Sequence, residues 1–148
     1  MLSWLFSDPL PVGSQAPEFI LPSQAGGKVK LSALRGKNVV LVFYPGDDTN
    51  ICRRQLCAFR DRWDLARAHN ASVFGINPQS AGSHQKFRDR YQFPFLLLVD
   101  AGQKVAEAYH AHGLIVKRTV YLIGPDGVIR YGKRGNPAPE EVLAFAKI

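Results

Sequence analysis

Three apolar runs punctuate the chain, and each is bounded by polar or turn-forming residues. They lie at residues 38–44, 73–77 and 95–99 and are rich in Val, Ile, Leu and Phe. Near-continuous apolar runs of this length are typical of strands that are buried on both faces of a sheet. We therefore predict three central strands, the first of which ends where Pro45-Gly46 begins.

A hairpin is predicted at each end of this pattern. Near the start, residues 19–21 and 29–31 are short apolar segments separated by a glycine turn. Near the end, residues 119–123 and 128–131 flank Gly124-Pro125-Asp126-Gly127, a strong turn sequence. The closing hairpin makes part of the central sheet antiparallel.

Helical periodicity fills the segments between the strands. One long helix is predicted at residues 50–69, with an apolar face formed by Leu56, Phe59, Trp63 and Ala66. Further helices are predicted at residues 80–91 and 104–109, with a last one that starts near Pro139. Ser32 is expected to cap a brief turn. Helices that alternate with buried strands predict an α/β domain with a central mixed sheet, one domain over residues 1–148 with a tail at 1–10.

Composition is that of a globular protein. Of 148 residues, 46% are apolar and 21% charged, and such a chain can bury a core without disulfide staples or a metal. The formal net charge is +7, but the cations are scattered among acidic residues and no nucleic-acid-binding motif accompanies them. We expect no nucleic-acid partner, although a basic surface favours acidic partners and anionic substrates.

The N-terminal segment does not have the pattern of a secretory signal. It is apolar but short, it lacks a basic stretch, and Asp8-Pro9 interrupts it. No apolar run approaches the length that spans a bilayer. We therefore expect a cytoplasmic protein without stable membrane insertion, whose Trp4, Leu5 and Phe6 lie on the domain surface.

Cys52 is the main candidate for chemistry. It follows a buried strand and a loop, at the start of a predicted helix, and ligand sites of α/β sheets lie at the carboxyl ends of strands. The thiolate is the reactive form of cysteine. The unpaired N–H groups of a helix N-terminus, together with Arg53 and Arg54, should lower the pKa of this thiol.

Two neighbours of Cys52 each have two interpretations. Thr49 lies three residues earlier, which is the spacing of an N-cap residue, but its hydroxyl could instead bind a ligand beside the sulfur. Pro45 could simply end the strand and form a turn. Alternatively, it could shield the thiolate from water.

The second cysteine, Cys57, lies five residues after Cys52. On an ideal helix this spacing is about 500° of rotation and about 7.5 Å of rise. The two side chains then point apart, so a disulfide requires the first turns to unwind. Cys57 could equally be a small apolar residue of the helix. Two thiols in this arrangement do not support a zinc site.

The arrangement of Pro45, Thr49 and Cys52 resembles the peroxiredoxins, and most closely the group of peroxiredoxin Q and the bacterioferritin comigratory protein. Residues 12–19 and 83–87 are also similar to that group. The resemblance covers nearly the whole chain, from about Leu10. It implies a thioredoxin-like fold and a thiol peroxidase that reduces hydrogen peroxide and organic hydroperoxides.

The resemblance also implies roles for individual residues. Cys52 would attack the peroxide and become a sulfenic acid. Thr49 and Arg118 would hold the peroxide, and Pro45 would cover the sulfur. Cys57 would be the resolving cysteine, which forms an intramolecular disulfide. We expect no cofactor or metal, and the family's reductant is usually thioredoxin, sometimes glutaredoxin. A monomer is expected because resolution needs no second subunit.

Several positions depart from the family pattern or stay open. Ile51 stands where a small residue is usual, and Arg53 stands where a hydroxyl residue is common. Lys117 could serve in place of Arg118 on geometry alone, and His84 is expected on the helix surface. Two other functions are weighed, a thiol–disulfide redox sensor and a non-enzymatic binding protein. A sensor of the oxidoreductase type is expected to have a C-x-x-C motif, which this chain lacks.

Overall fold

The structure is a computed structural model that describes residues 8–146, with Cys52 described by its backbone alone. The predicted surface position of Trp4, Leu5 and Phe6 therefore lies outside the described residues.

A five-stranded mixed sheet forms the centre of the fold, and a two-stranded hairpin precedes it. The strands are β1 (Ile20–Pro22), β2 (Lys28–Lys30), β3 (Asn38–Phe43), β4 (Ala71–Asn77), β5 (Leu96–Val99), β6 (Thr119–Ile123) and β7 (Ile129–Arg134). The central order is β5-β4-β3-β6-β7. Strands β3, β4 and β5 are parallel, whereas β6 and β7 are antiparallel to their neighbours. The predicted α/β class, mixed sheet and N-terminal hairpin are confirmed.

Five α-helices cover the sheet within the described residues. They are α1 (Asn50–Asp61), α2 (Trp63–Ala68), α3 (Ala81–Tyr91), α4 (Lys104–Ala108) and α5 (Pro139–Leu143). The prediction of one long helix at residues 50–69 is wrong, because the helix breaks at Arg62, where φ is −111° and ψ is 34°. Apolar periodicity alone could not show this break, since Leu56, Phe59 and Ala66 still pack into one core. The break directs α2 across β4 and against α5.

The prediction that Ser32 caps a turn is also wrong. The 3₁₀ turn Leu31–Leu34 begins one residue earlier, after Lys30, without a side-chain cap. The backbone N–H of Ser32 instead donates to Oε1 of Glu18 at 3.0 Å, and that oxygen also accepts from the N–H of Phe19. Ser32 is therefore the second residue of the turn, and its own N–H is satisfied by a carboxylate from the preceding segment.

The sheet is buried on both faces, as the continuous apolar runs predict. Alternate residues of β3 point to opposite sides. One face packs against α1, α2, α3 and α5 around Val40 and Val42, and the other packs against α4 and the N-terminal hairpin around Leu41 and Phe43. Every residue of β3 is buried. Within residues 8–146, no helix has the length and apolar character needed to cross a membrane.

Candidate active site

The candidate residues lie along one edge of the sheet, the edge at which the parallel strands reach their carboxyl ends. Strand β3 ends there at Phe43, and β4 ends there at Asn77. Because β6 runs antiparallel to β3 and pairs Thr119 with Phe43, the residue before β6 also lies at this edge. Arg118 is therefore brought to the loop that contains Pro45 and Thr49, although it lies more than sixty residues away along the chain.

The loop between β3 and α1 places Cys52 as the third residue of α1, with Thr49 as the N-cap residue. Thr49 has an extended backbone, with φ −78° and ψ 153°, and its C=O accepts the first helical hydrogen bond from Arg53 at 2.8 Å. Its hydroxyl makes no capping bond and donates to the C=O of Gly46 at 3.3 Å. The hydroxyl thus lies at the exposed start of the helix without serving as its cap.

Arg118 is held by a buried amide of α1. Its Nη1 donates to Oε1 of Gln55 at 3.0 Å, and Nε2 of Gln55 donates to the C=O of Gly135 at 3.3 Å. The N–H of Gly135 in turn donates to the C=O of Arg118 at 2.8 Å. Gln55 is fully buried. Residues three apart share a face of a helix, so Gln55 brings the guanidinium to the face of α1 on which Cys52 lies.

Two further cations lie close to Arg118. Partial burial and the charge of Arg134 both lower the pKa of Lys117. Burial likewise lowers the pKa of Arg134, whose Nη1 donates to Oγ1 of Thr119 at 2.7 Å. Thr119, to which Arg134 donates, lies on the side of β6 that faces α4 and the N-terminal hairpin, opposite the side that α1 covers. Beside α1, the positive charge therefore comes from Arg118 and the helix N-terminus, which favour a thiolate and an anionic leaving group. The bond to Gln55 distinguishes Arg118 from Lys117.

The first turn of α1 is joined to the end of α3 through Tyr91. The hydroxyl of Tyr91 donates to Oδ1 of Asp48 at 2.9 Å and accepts from Nη1 of Arg53 at 3.3 Å. Arg90 donates to Oδ2 of Asp48 at 2.7 Å. Arg53 and Arg90 both stack on the ring of Tyr91. We call Asp48, Arg53, Arg90 and Tyr91 the Tyr91 clasp. The arginine that departs from the family pattern is thus engaged in holding the helix start.

Cys57 lies in the same continuous helix as Cys52, half-buried against the core. Burial raises the pKa of its thiol, and the nearby carboxylate of Asp61 adds to this, whereas Arg60 and Arg53 oppose it. The Cys57 thiol is therefore protonated at neutral pH. Because both cysteines belong to the uninterrupted helix α1, a bond between them requires the start of α1 to unwind.

The expectation that His84 lies on the helix surface is wrong, because the side chain is fully buried. Its Nδ1 is 2.7 Å from Oδ2 of Asp47, and its Nε2 is 2.9 Å from the C=O of Leu98. Asp47 belongs to the loop that precedes α1. Helical periodicity could not show this burial, since His84 lies on a mostly polar helix and is covered by a loop from elsewhere in the chain.

Three site residues were missed by reasoning from sequence. These are Gln55, Asp47 and Tyr91. For Gln55 a signal exists, since it follows Cys52 by one helical turn beside an apolar face. Asp47 and Tyr91 have no comparable signal, because their partners come from other elements. Ile51 is 53% exposed, so an apolar side chain lies at the surface beside Cys52.

Comparisons with known proteins agree with this geometry. The AhpC/TSA family model matches residues 12–132. The chain is 39% identical over 130 residues to peroxiredoxin bcp of Coxiella burnetii, covering 80% of this chain and 84% of that protein. It is 38% identical over 133 residues to chloroplastic peroxiredoxin Q of Oryza sativa subsp. japonica, covering 87% of this chain but 61% of that protein. The chain thus spans about three fifths of the length of such plant relatives.

Solved structures of peroxiredoxins are also similar to this chain. Peroxidoxin BcpB of Mycobacterium tuberculosis superposes with a TM-score of 0.87 at 30% identity, covering 93% of this chain and 96% of that one. A cysteine-to-serine mutant of Xylella fastidiosa PrxQ superposes with a TM-score of 0.85 at 24% identity over the same shares, which supports the fold. The family model matches most of the chain, and the similar sequences and structures are peroxiredoxins of one group. The chain therefore belongs to the AhpC/TSA family, in its peroxiredoxin Q/bcp group.

Proposed function

We propose that this protein is a thiol peroxidase that reduces hydrogen peroxide and organic hydroperoxides through Cys52. The observation that carries the proposal is the placement of Cys52 in the first turn of α1, beside an arginine that a buried amide holds in position. A helix N-terminus and nearby cations favour the thiolate. The exposed apolar side chain of Ile51 next to Cys52 is compatible with alkyl groups of organic hydroperoxides.

In the first step the thiolate of Cys52 attacks one oxygen of the peroxide. An S–O bond forms and the O–O bond breaks, so that the sulfur is oxidised to a sulfenic acid and the peroxide is reduced to an alcohol or water. The leaving oxygen takes a proton from solvent, which balances the proton that the Cys52 thiol released on ionising. Arg118 and the Thr49 hydroxyl act as donors that stabilise its negative charge, and Pro45 limits the access of water to the sulfur.

In the second step Cys57 resolves the sulfenic acid. The start of α1 unwinds, which also releases Cys57 from the core and allows its thiol to ionise. The Cys57 sulfur attacks the Cys52 sulfur, a disulfide forms and water leaves. A dithiol reductant, thioredoxin or glutaredoxin, then supplies two electrons and two protons to restore both thiols. Intramolecular resolution is compatible with a monomer, and recycling by a dithiol is compatible with the reducing cytoplasm.

The test is the intact mass of the reduced protein after one equivalent of hydrogen peroxide, with iodoacetamide added to alkylate free thiols. The expected product has lost two hydrogens and takes no label. Cys57→Ser should stop at a sulfenic acid that dimedone labels, and Cys52→Ser should not react. Failure of wild-type protein to react within minutes would reject the peroxidase. A sulfenic acid with Cys57 still alkylated would reject only its resolving role.

A further inference from the structure

His84 is a buried titratable residue that the proposed mechanism does not use. It lies in the first turns of α3, its side chain is fully buried, and both ring nitrogens face an acceptor. A histidine whose two nitrogens both meet acceptors at hydrogen-bond distance is restricted in its protonation state, so the partners decide its charge.

The partners of the ring indicate an imidazolium. The C=O of Leu98 can only accept, so Nε2 carries a hydrogen. At Nδ1 the partner is Asp47, whose carboxylate already accepts from the Tyr44 hydroxyl at 2.7 Å and from the Ser83 hydroxyl at 2.6 Å. Burial raises the pKa of Asp47, but the hydrogen bonds from His84, Ser83 and Tyr44 outweigh it and lower the pKa overall. An ionised carboxylate needs a hydrogen on Nδ1 as well.

The His84–Asp47 pair anchors the loop between β3 and α1. Asp47 stands midway between Pro45 and Thr49. Its side chain is bound to α3 through His84 and Ser83, and its backbone N–H donates to Oε1 of Gln79, just after β4. His84 in turn is bound to β5. Asp47 therefore anchors the loop to α3 and, through His84, to the parallel half of the sheet.

We propose that His84 and Asp47 are positioning residues of the peroxidase site, and that their buried imidazolium–carboxylate pair fixes the loop that presents Pro45 and Thr49 to the peroxide. This inference rests on the proposed function. Neither residue touches the substrate. Their effect is on the geometry of the peroxide step, whereas the reductant reacts with a form in which the start of α1 has unwound.

Two substitutions by amide residues test the two hydrogen bonds of the His84 ring one at a time. In His84→Gln the amide nitrogen replaces Nε2 and keeps the bond to Leu98, while the donor to Asp47 is lost. In His84→Asn the amide nitrogen replaces Nδ1 and keeps a donor to Asp47. His69→Gln is a control of the same kind at the other end of the sheet, where the backbone C=O of His69 accepts from Asn38.

The measurement is the second-order rate constant for oxidation of Cys52 by hydrogen peroxide, from competition with horseradish peroxidase, beside the rate of reduction of the disulfide by thioredoxin. His84→Gln should slow oxidation by about tenfold or more, because small misplacements of reacting groups have effects of that order. His84→Asn should recover part of this loss. Reduction by thioredoxin should change less than about twofold, and His69→Gln should match wild type in both steps.

Two kinetic outcomes would overturn the inference. One is a His84→Gln protein that is oxidised at the wild-type rate, and the other is an equal loss in both steps, which would indicate general destabilisation. Nitrogen-15 spectra of the imidazole rings give an independent readout, since a ring that donates to both Asp47 and Leu98 carries a hydrogen on each nitrogen. A singly protonated ring would also reject the pair. The spectrum tests the His84–Asp47 pair even if wild-type Cys52 proves unreactive. An unreactive Cys52 would reject the proposed function and not the pair.

Discussion

Arg118 donates from Nη1 to Oε1 of Gln55 at 3.0 Å, which joins the residue before β6 to the buried face of α1. Gln55 lies one helical turn after Cys52, so the guanidinium of Arg118 is held in position by the helix that contains the reactive cysteine rather than by its own loop. An arginine held in this way needs little reorganisation when charge develops on a leaving oxygen.

The first prediction concerns this bond. Gln55→Leu removes the acceptor for Arg118 and the donor for the C=O of Gly135, so the free energy of unfolding should fall by about 1–3 kcal/mol and peroxide oxidation should slow by about tenfold or more. Gln55→Glu keeps an acceptor for Arg118 and should retain most of the rate. Urea denaturation and competition kinetics measure the two effects. Equal rates for the Leu and Glu variants would contradict a role for Gln55 in holding Arg118.

The second prediction concerns the Tyr91 clasp. Tyr91→Phe keeps the ring beside Arg53 and Arg90 but removes the hydroxyl that joins Asp48 to Arg53. Because the start of α1 must unwind for resolution, this loss should speed disulfide formation after oxidation by roughly threefold to tenfold. Rapid quench with mass spectrometry measures the step. Tyr131→Phe is the control, since its hydroxyl donates to Glu141 on α5. Slower disulfide formation in Tyr91→Phe than in wild type would show that the clasp does not oppose unwinding.

The third prediction concerns the reactivity of Cys57. Since burial raises the pKa of this thiol, its thiolate fraction at a given pH is lower in the folded protein than in the unfolded chain. Iodoacetamide should therefore label Cys57 in the Cys52→Ser variant more slowly than in the same variant unfolded by guanidinium. The pH profile of labelling should lie at higher pH in the folded state. Equal profiles for the two states would show that Cys57 is already free of the core.

The fourth prediction concerns acid stability. The pKa of Asp47 is lowered from its ordinary value of 3.8, so its contribution to stability is fully present above that pH and is lost as the pH falls through the folded-state pKa. Thermal denaturation at several pH values below about 5 should show a weaker pH dependence in Asp47→Asn than in wild type. Asp61→Asn, an exposed control, should follow wild type. Parallel curves for Asp47→Asn and wild type would mean that other carboxylates dominate.

The elements of this fold follow closely from sequence pattern. The buried runs, the closing turn after Ile123 and the apolar face of α1 predict the mixed sheet and its covering helices because burial and periodicity are local properties of the chain. The resemblance carried by Pro45, Thr49 and Cys52 predicts the family in the same way. The break at Arg62 escapes such reasoning, since both helices present apolar residues to one core.

The sequence by itself determined the class of the fold, the cysteine at the start of a helix and the need for that helix to unwind before a disulfide forms. Only the tertiary structure decided that Gln55 holds Arg118, that Tyr91 clasps the start of α1, and that His84 lies buried against Asp47. Each of these contacts joins residues at least thirty positions apart. Their partners are chosen by strand order and helix packing, and no local pattern of apolar and polar residues encodes that choice.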